Sequence, residues 1–149
     1  MESRIVSKFQ RNEDLFKVNH VFCCLGTTIK TAGSKEKFRL VDYVFPIKMA
    51  QLAQSNGVEV YSIITAMGAN AKSSIFYNQV KGEVENELKT LDIPAVHILQ
   101  PSLLLGNRNE SRTGEAIAQA IFKVINPIFV GKLKQFKGIP GKRVAQTMV

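Results

Sequence analysis

The chain has 149 residues, 45% of them hydrophobic and 21% charged, the balance of a single folded domain over residues 1–149 and not of a disordered or disulfide-stapled chain. Its formal charge is +8, and after Glu115 no acidic residue follows while Lys123, Lys132, Lys134, Lys137, Lys142 and Arg143 do. Such a segment attracts phosphate groups, but no aromatic-basic interleaving or nucleic-acid motif accompanies it, so it reads as a solvated basic surface and nucleic-acid binding is not expected.

From Val18 to Cys24 the run VNHVFCC is almost continuously apolar, as suits a strand covered on both faces in a parallel sheet. Between Lys37 and Gln54, Phe38, Val41, Phe45, Met49, Leu52 and Ala53 recur at helical spacing, and Asn56-Gly57 supplies the stop. Pro46 falls inside this helix and predicts a kink or a late start there. Val58 to Thr65 (VEVYSIIT) is β-branched and aromatic between glycines, a second buried strand. After a polar loop, Phe76, Val80, Val84, Leu88 and Leu91 mark a second amphipathic helix that ends at Asp92-Ile93-Pro94, and Val96 to Leu99 is a third strand. A third helix is expected from about Gly114 to Ile125, and Gly138-Ile139-Pro140-Gly141 reads as a turn opening a helix of about two turns. Strands alternating with helices in this order demand right-handed crossovers and a parallel sheet, so the fold class is α/β.

The adjacent cysteines, Cys23 and Cys24, cannot easily form an unstrained disulfide and read as buried thiols on a strand. His20 and His97 stand alone in apolar runs, and no metal-ligand spacing occurs, so no metal is expected. With no secretory leader and no run apolar enough to span a bilayer, the expected compartment is the cytoplasm.

The spacing that carries chemistry is Tyr77-Asn78-Gln79-Val80-Lys81. Residues four apart share a helix face, so a phenol and an ammonium can act on one site. A nearby cation favours phenolate and lowers a tyrosine pKa from about 10 toward the working pH, where the hydroxyl can exchange a proton with a carbonyl or an alcohol. Thr65 ends the preceding strand at the edge where open α/β sheets place their ligands, and its hydroxyl could hold the reacting oxygen.

Taken together, CCLGTTIKTAGSKEKF, GANAKSSIFYNQVKGEVENEL and QPSLLLGNRNESRTGE resemble the atypical short-chain dehydrogenase/reductases of the Tat-interacting-protein subgroup, with similar spacing from Val18 onward. The resemblance implies a Rossmann-like fold, NADP or NAD as cofactor, and an unknown small-molecule substrate. It assigns Tyr77 as the catalytic tyrosine, Lys81 as the lysine that tunes it and hydrogen-bonds the nicotinamide ribose, and Thr65 to the position usually held by serine. Asp42 falls near an asparagine that supports a proton relay in many relatives. Leu25, Gly26 and Thr27 match the strand-end loop lying against the cofactor, and Pro101, Ser102 and Leu103 match the loop that faces the nicotinamide. Gln100 stands where the family usually has arginine.

The same resemblance implies a missing part. A strand, a glycine-rich turn and a helix whose amides bind the pyrophosphate would precede Val18, yet Met1 to Lys17 holds no glycine, and Arg4 to Phe9 at best resembles the family's third strand. The expectation is a partial Rossmann-like parallel sheet flanked by helices, from a chain truncated at its N-terminus and inactive or impaired by itself. The strand from Val18 to Cys24 would then be an open edge, inviting a second copy or another protein to pair with it. The competing reading is a non-enzymatic module that senses a cofactor or binds proteins.

Overall fold

The structure is a computed structural model, and it describes residues 13–102, 104–105 and 138–149. The strand expected at Arg4 to Phe9 and the helix expected from Gly114 to Ile125 lie outside the described residues. Contacts divide the chain into two units, residues 1–100 and residues 101–149.

Among the described residues the first unit begins with a short 3-10 turn at Glu13–Phe16. Strands β1 (His20–Cys23), β2 (Val60–Ile64) and β3 (Ala95–Leu99) follow, and among the described residues they form one sheet in the order β1-β2-β3. Both pairings are parallel, with His20 opposite Val60 and Ser62 opposite His97. Alternate residues Val21, Cys23, Tyr61 and Ile63 enter a single core with Ile47, Ala50, Ala53, Val84 and Leu88. That period of two against helical apolar positions is why these strands and helices bury each other.

The first crossover is built from three helical pieces and a widened turn. Helix α1 (Ile29–Ala32) is one turn, opened by the Thr28 side chain accepting from the Thr31 N–H at 3.1 Å and closed by Gly33 at φ 81°, a left-handed position where glycine carries no Cβ penalty. Helix α2 (Lys35–Arg39) starts on Ser34, whose hydroxyl accepts from the Lys37 N–H at 3.2 Å. A π turn at Leu40–Val44 then leads into helix α3 (Phe45–Ser55), with Pro46 in its first turn. The expected disturbance at Pro46 therefore takes the form of an extra residue in the preceding turn. Proline cannot donate to the carbonyl four residues back, that of Asp42, and its ring would collide with it. The Phe45 N–H reaches Leu40 O instead, and the wider turn holds Asp42.

The second crossover is helix α4 (Phe76–Leu88), which carries the sequence read for chemistry. Tyr61, wholly buried on β2, donates its hydroxyl to the Pro46 carbonyl at 2.9 Å. Burial, with the neighbouring Cys23 adding to it, holds this phenol far above the ordinary tyrosine range. The folded state thus keeps a proton that the unfolded chain gives up near pH 10, so the contribution is whole below about pH 10 and drains away as the pH rises beyond it. We expect unfolding by urea to become easier as the pH rises above about 10, and Tyr61→Phe to lower stability by about 1 kcal/mol at neutral pH while flattening the alkaline loss. An unchanged alkaline slope in that variant would assign the effect to other groups.

In the second unit, β4 (Leu104–Leu105) pairs in parallel with β5 (Ile139–Pro140). Helix α5 (Gly141–Met148) follows directly, with Pro140 at its N-cap, so the expected two-turn helix is present, while the turn expected at Gly138 to Gly141 is instead the short strand β5 running into that helix.

Candidate functional site

Tyr77, Lys81 and Glu85 follow one another at four-residue intervals along α4, which puts them on one face. Lys81 and Glu85 are buried there beside Val80, Val84 and Leu88. The Lys81 ammonium lies 2.8 Å from Asp42 Oδ1, and the two side chains are only 5% and 1% exposed. Oδ1 has no further hydrogen-bond partner. Asp42 Oδ2 accepts the Thr27 N–H at 2.9 Å, so one carboxylate joins the π turn, the loop after β1 and α4. A Cβ at Gly26 would sit 3.6 Å from Asp42 Oδ1 and 4.0 Å from Lys81 Nζ; the exposed Leu25-Gly26 backbone passes beside the ion pair.

Lys81 Nζ is 6.0 Å from the centre of the Tyr77 ring, and the Phe38 ring packs on Tyr77 with centroids 5.7 Å apart. The structure thus brings Tyr77 and Lys81 together, but it reverses the electrostatic expectation. The Tyr77 phenol is pushed up from its ordinary pKa, first by burial and then by the Asp42 charge. The lysine was expected to pull it down. Burial penalises phenolate, and the carboxylate in contact with Lys81 offsets the cation that should have stabilised it.

Thr65 belongs to a second cluster. Its N–H continues the sheet to Leu99 O at 2.8 Å, and its hydroxyl donates to Glu85 Oε1 at 2.6 Å, with Leu99 O at 3.4 Å as a secondary acceptor. Gln100 Nε2 donates to both Glu85 oxygens, at 2.9 and 2.8 Å. Glu85 is the residue that sequence reasoning missed. The signal was available, because it stands four residues beyond Lys81, as Lys81 stands beyond Tyr77. Where the family resemblance implies arginine, Gln100 gives this carboxylate a neutral cap. A guanidinium could meet both oxygens as a charge-assisted pair, so Gln100→Arg is expected to raise the melting temperature by about 2–4 °C, corresponding to about 1 kcal/mol. A melting point that is unchanged or lower would show that the fork cannot reach Glu85.

Of the remaining assigned positions, Pro101 and Ser102 fall in the second unit and Leu103 lies outside the described residues. Cys23 is a buried thiol as expected. Cys24 instead lies just past the strand and is exposed. The histidines do not stand alone: His20 Nε2 is 2.8 Å from Ser62 Oγ, which is 3.5 Å from His97 Nδ1. Among the described residues no group of three potential metal ligands occurs, and no helix is long and apolar enough to cross a membrane.

No protein-family model matches the chain. It is 37% identical over 119 residues to the mitochondrial protein FMP52-1 of Scheffersomyces stipitis, an alignment covering 80% of this chain and 48% of that protein. It is 41% identical over 101 residues to the protein HTATIP2 of Rattus norvegicus, covering 68% and 41% respectively. Among solved structures it resembles the enzyme WbmG of Bordetella bronchiseptica in complex with NAD, with a TM-score of 0.59 at 19% identity over 80% of this chain and 42% of that one.

The chain belongs to the atypical short-chain dehydrogenase/reductases, in the Tat-interacting-protein-like subgroup. The parallel sheet and its helices are a Rossmann-like fold covering part of such a structure. The chain spans about half the length of the curated family members it matches. One expectation is overturned. FMP52-1 of S. stipitis and FMP52 of Debaryomyces hansenii, family members 37% and 34% identical to this chain, are both named mitochondrial, which conflicts with a cytoplasmic placement.

Proposed function

We propose that the chain carries the proton-handling half of an oxidoreductase site that works with NADP or NAD. The observation that supports this best is the buried face of α4, where Tyr77 packs beside a Lys81 fixed by Asp42 at 2.8 Å. Such an arrangement is more than a half-exposed helix face needs, because a buried ion pair is retained only when its partners fit closely. The upward displacement of the Tyr77 phenol is of the kind that can accompany a functional group. Family membership supports the reading, as does the NAD held by WbmG.

In this reading Tyr77 exchanges a proton with the substrate oxygen, Lys81 and Asp42 set its charge, and Thr65, held by Glu85 at the end of β2, is the hydroxyl that would meet the same oxygen. The exposed backbone of Leu25 and Gly26, with Thr27 anchored on Asp42, and the Lys81 ammonium are the groups that would meet the cofactor. The bound nicotinamide would supply or take up the hydride.

Two measurements test this. Titration of the folded chain with NADPH and NADH, followed by nicotinamide fluorescence, should give saturable binding. Tyr77→Phe should then reduce turnover of a carbonyl substrate by about 10²–10⁴-fold, the usual worth of a positioned acid or base, while leaving nucleotide binding in place. Turnover surviving that substitution would remove Tyr77 from the chemistry. No binding of either nucleotide by folded protein would favour the regulatory alternative, in which the chain acts by contacting other proteins.

A further inference from the structure

Glu85 is a buried carboxylate that the chemistry read from Tyr77 and Lys81 does not use. It stands on α4, is 7% exposed, and gathers the residues that leave two neighbouring strands, Thr65 after β2 and Gln100 after β3. Gln100 Nε2 reaches both Glu85 oxygens, at 2.9 and 2.8 Å. An amide nitrogen can only donate, so both oxygens act as acceptors there. The Thr65 hydroxyl, 2.6 Å from Oε1, is therefore the donor in its contact with Glu85. Its secondary acceptor is Leu99 O at 3.4 Å, so both contacts draw the hydroxyl hydrogen inward, toward α4 and β3.

A hydroxyl has one hydrogen and two lone pairs. With the hydrogen committed to Glu85, Thr65 keeps its acceptor capacity and has no donor left. Among the described residues nothing donates to Thr65 Oγ1, although the residue is only 5% exposed, and a buried polar atom with unused capacity calls for a partner. Turning the hydrogen outward breaks a bond to a charged acceptor, roughly twice as strong as one between neutral groups. Gln100 matters here because it is neutral. Its amide steadies the carboxylate without taking its charge, whereas the arginine that the family resemblance implies would compete with Thr65 for the same oxygens.

We propose that Glu85, steadied by Gln100, is the positioning residue that makes Thr65 an acceptor and not a donor, so that this position selects a ligand oxygen carrying a hydrogen, the hydroxyl class, over a carbonyl oxygen. This rests on the oxidoreductase reading for placing Thr65 at the ligand, and deepens it. An alcohol gives its hydrogen to Thr65 Oγ1 and keeps its own lone pairs for another donor. A carbonyl has no hydrogen to give, meets lone pairs at Thr65, and depends on Tyr77 for its donor. Glu85 acts through Thr65 and has no need to touch the ligand.

The test uses two probes of matched shape and no cofactor: cyclohexanol, which has a hydrogen to donate, and cyclohexanone, which has none. Each is titrated into the folded chain and followed through the carbon-13-labelled methyl of Thr65, assigned by Thr65→Val. In the unmodified chain the alcohol should bind about threefold to tenfold more tightly than the ketone, the worth of one hydrogen bond. In Glu85→Gln the charge is gone and the hydroxyl is free to turn, so the two should bind alike or the ketone should lead. A purely structural role for Glu85 would weaken both probes together and leave their ratio unchanged. Ketone binding as tight as alcohol binding in the unmodified chain would overturn the proposal even if Glu85→Gln failed to fold. So would a folded Glu85→Gln that kept the alcohol preference. If neither probe moved the Thr65 methyl, Thr65 would face no ligand and the proposal would fall, while the titration with NADPH and NADH would still decide the oxidoreductase reading separately.

Discussion

Asp42→Ala should destabilise the fold by about 3–5 kcal/mol, the range measured when one member of a buried ion pair is removed and the other is left without a counter-charge. Against a total stability of about 5–15 kcal/mol for a domain, this takes a large share. The case rests on exposure: with the Lys81 side chain at 5% and that of Asp42 at 1%, water cannot replace the lost partner, as it would for a surface pair worth about 0–1 kcal/mol. Lys81→Met should cost a similar amount for the converse reason, an uncompensated carboxylate. The double variant Asp42→Ala with Lys81→Met should recover most of the loss, because neither charge is then stranded. Recovery should be incomplete, since the Thr27 N–H still lacks the acceptor it had at 2.9 Å. Urea midpoints of the four proteins measure the coupling directly. If Asp42→Ala cost less than about 1 kcal/mol, the pair would be hydrated in solution, and the electrostatic account of Tyr77 would lose its basis.

The parts of this site that could be read from the chain are those set by local periodicity. Tyr77 and Lys81 share a face because both stand on one helix, and four-residue spacing is visible in the letters alone. The strands containing His20, Tyr61 and Ile98 were visible for the same reason, as apolar runs bounded by turn residues. What could not be read was which residues meet across the fold. Asp42 lies 39 positions from Lys81, and only the register of the π turn aims it there. The upward sign of the Tyr77 shift followed first from burial and then from the Asp42 carboxylate, neither of which the spacing shows. Pro46 announced a disturbance in its helix, a kink or a late start, but the π turn that precedes it was not legible in the letters. Glu85 was legible by spacing and was passed over, since a glutamate in a charged helix is ordinarily solvated; its burial came from the pairing with Thr65 and Gln100.

Gly82→Ala should destabilise the protein even though it improves the helix. Placed within α4, Gly82 is a position where alanine would ordinarily gain about 1 kcal/mol in helix propensity. Its missing Cβ decides the sign. Built on this backbone, the Cβ would lie 2.1 Å from Ala71 N, 2.3 Å from Asn70 C and 2.6 Å from Asn70 Cα. These are main-chain atoms, which cannot rotate away as the end of a flexible side chain could, so the loop between β2 and α4 must move as a body. That loop is tied to the helix by the Asn70 N–H donating to Asn78 O at 2.9 Å, and is braced by the Lys72 N–H on Asn70 Oδ1 at 2.9 Å. Overpacking of this kind costs about 1–3 kcal/mol or more, and a lost backbone hydrogen bond adds about 1 kcal/mol. The balance is a net loss of roughly 1–3 kcal/mol after the propensity gain. Thr65 begins this loop and Tyr77 flanks the Asn78 carbonyl that anchors it, so the displacement should also reach the site. Faster hydrogen exchange at the Asn70 amide and a changed Tyr77 resonance should accompany the lower melting temperature. A Gly82→Ala protein as stable as the unmodified chain would mean that the loop does not rest on α4 in solution, and that the helix face carrying Tyr77 and Lys81 is more open than its packing here implies.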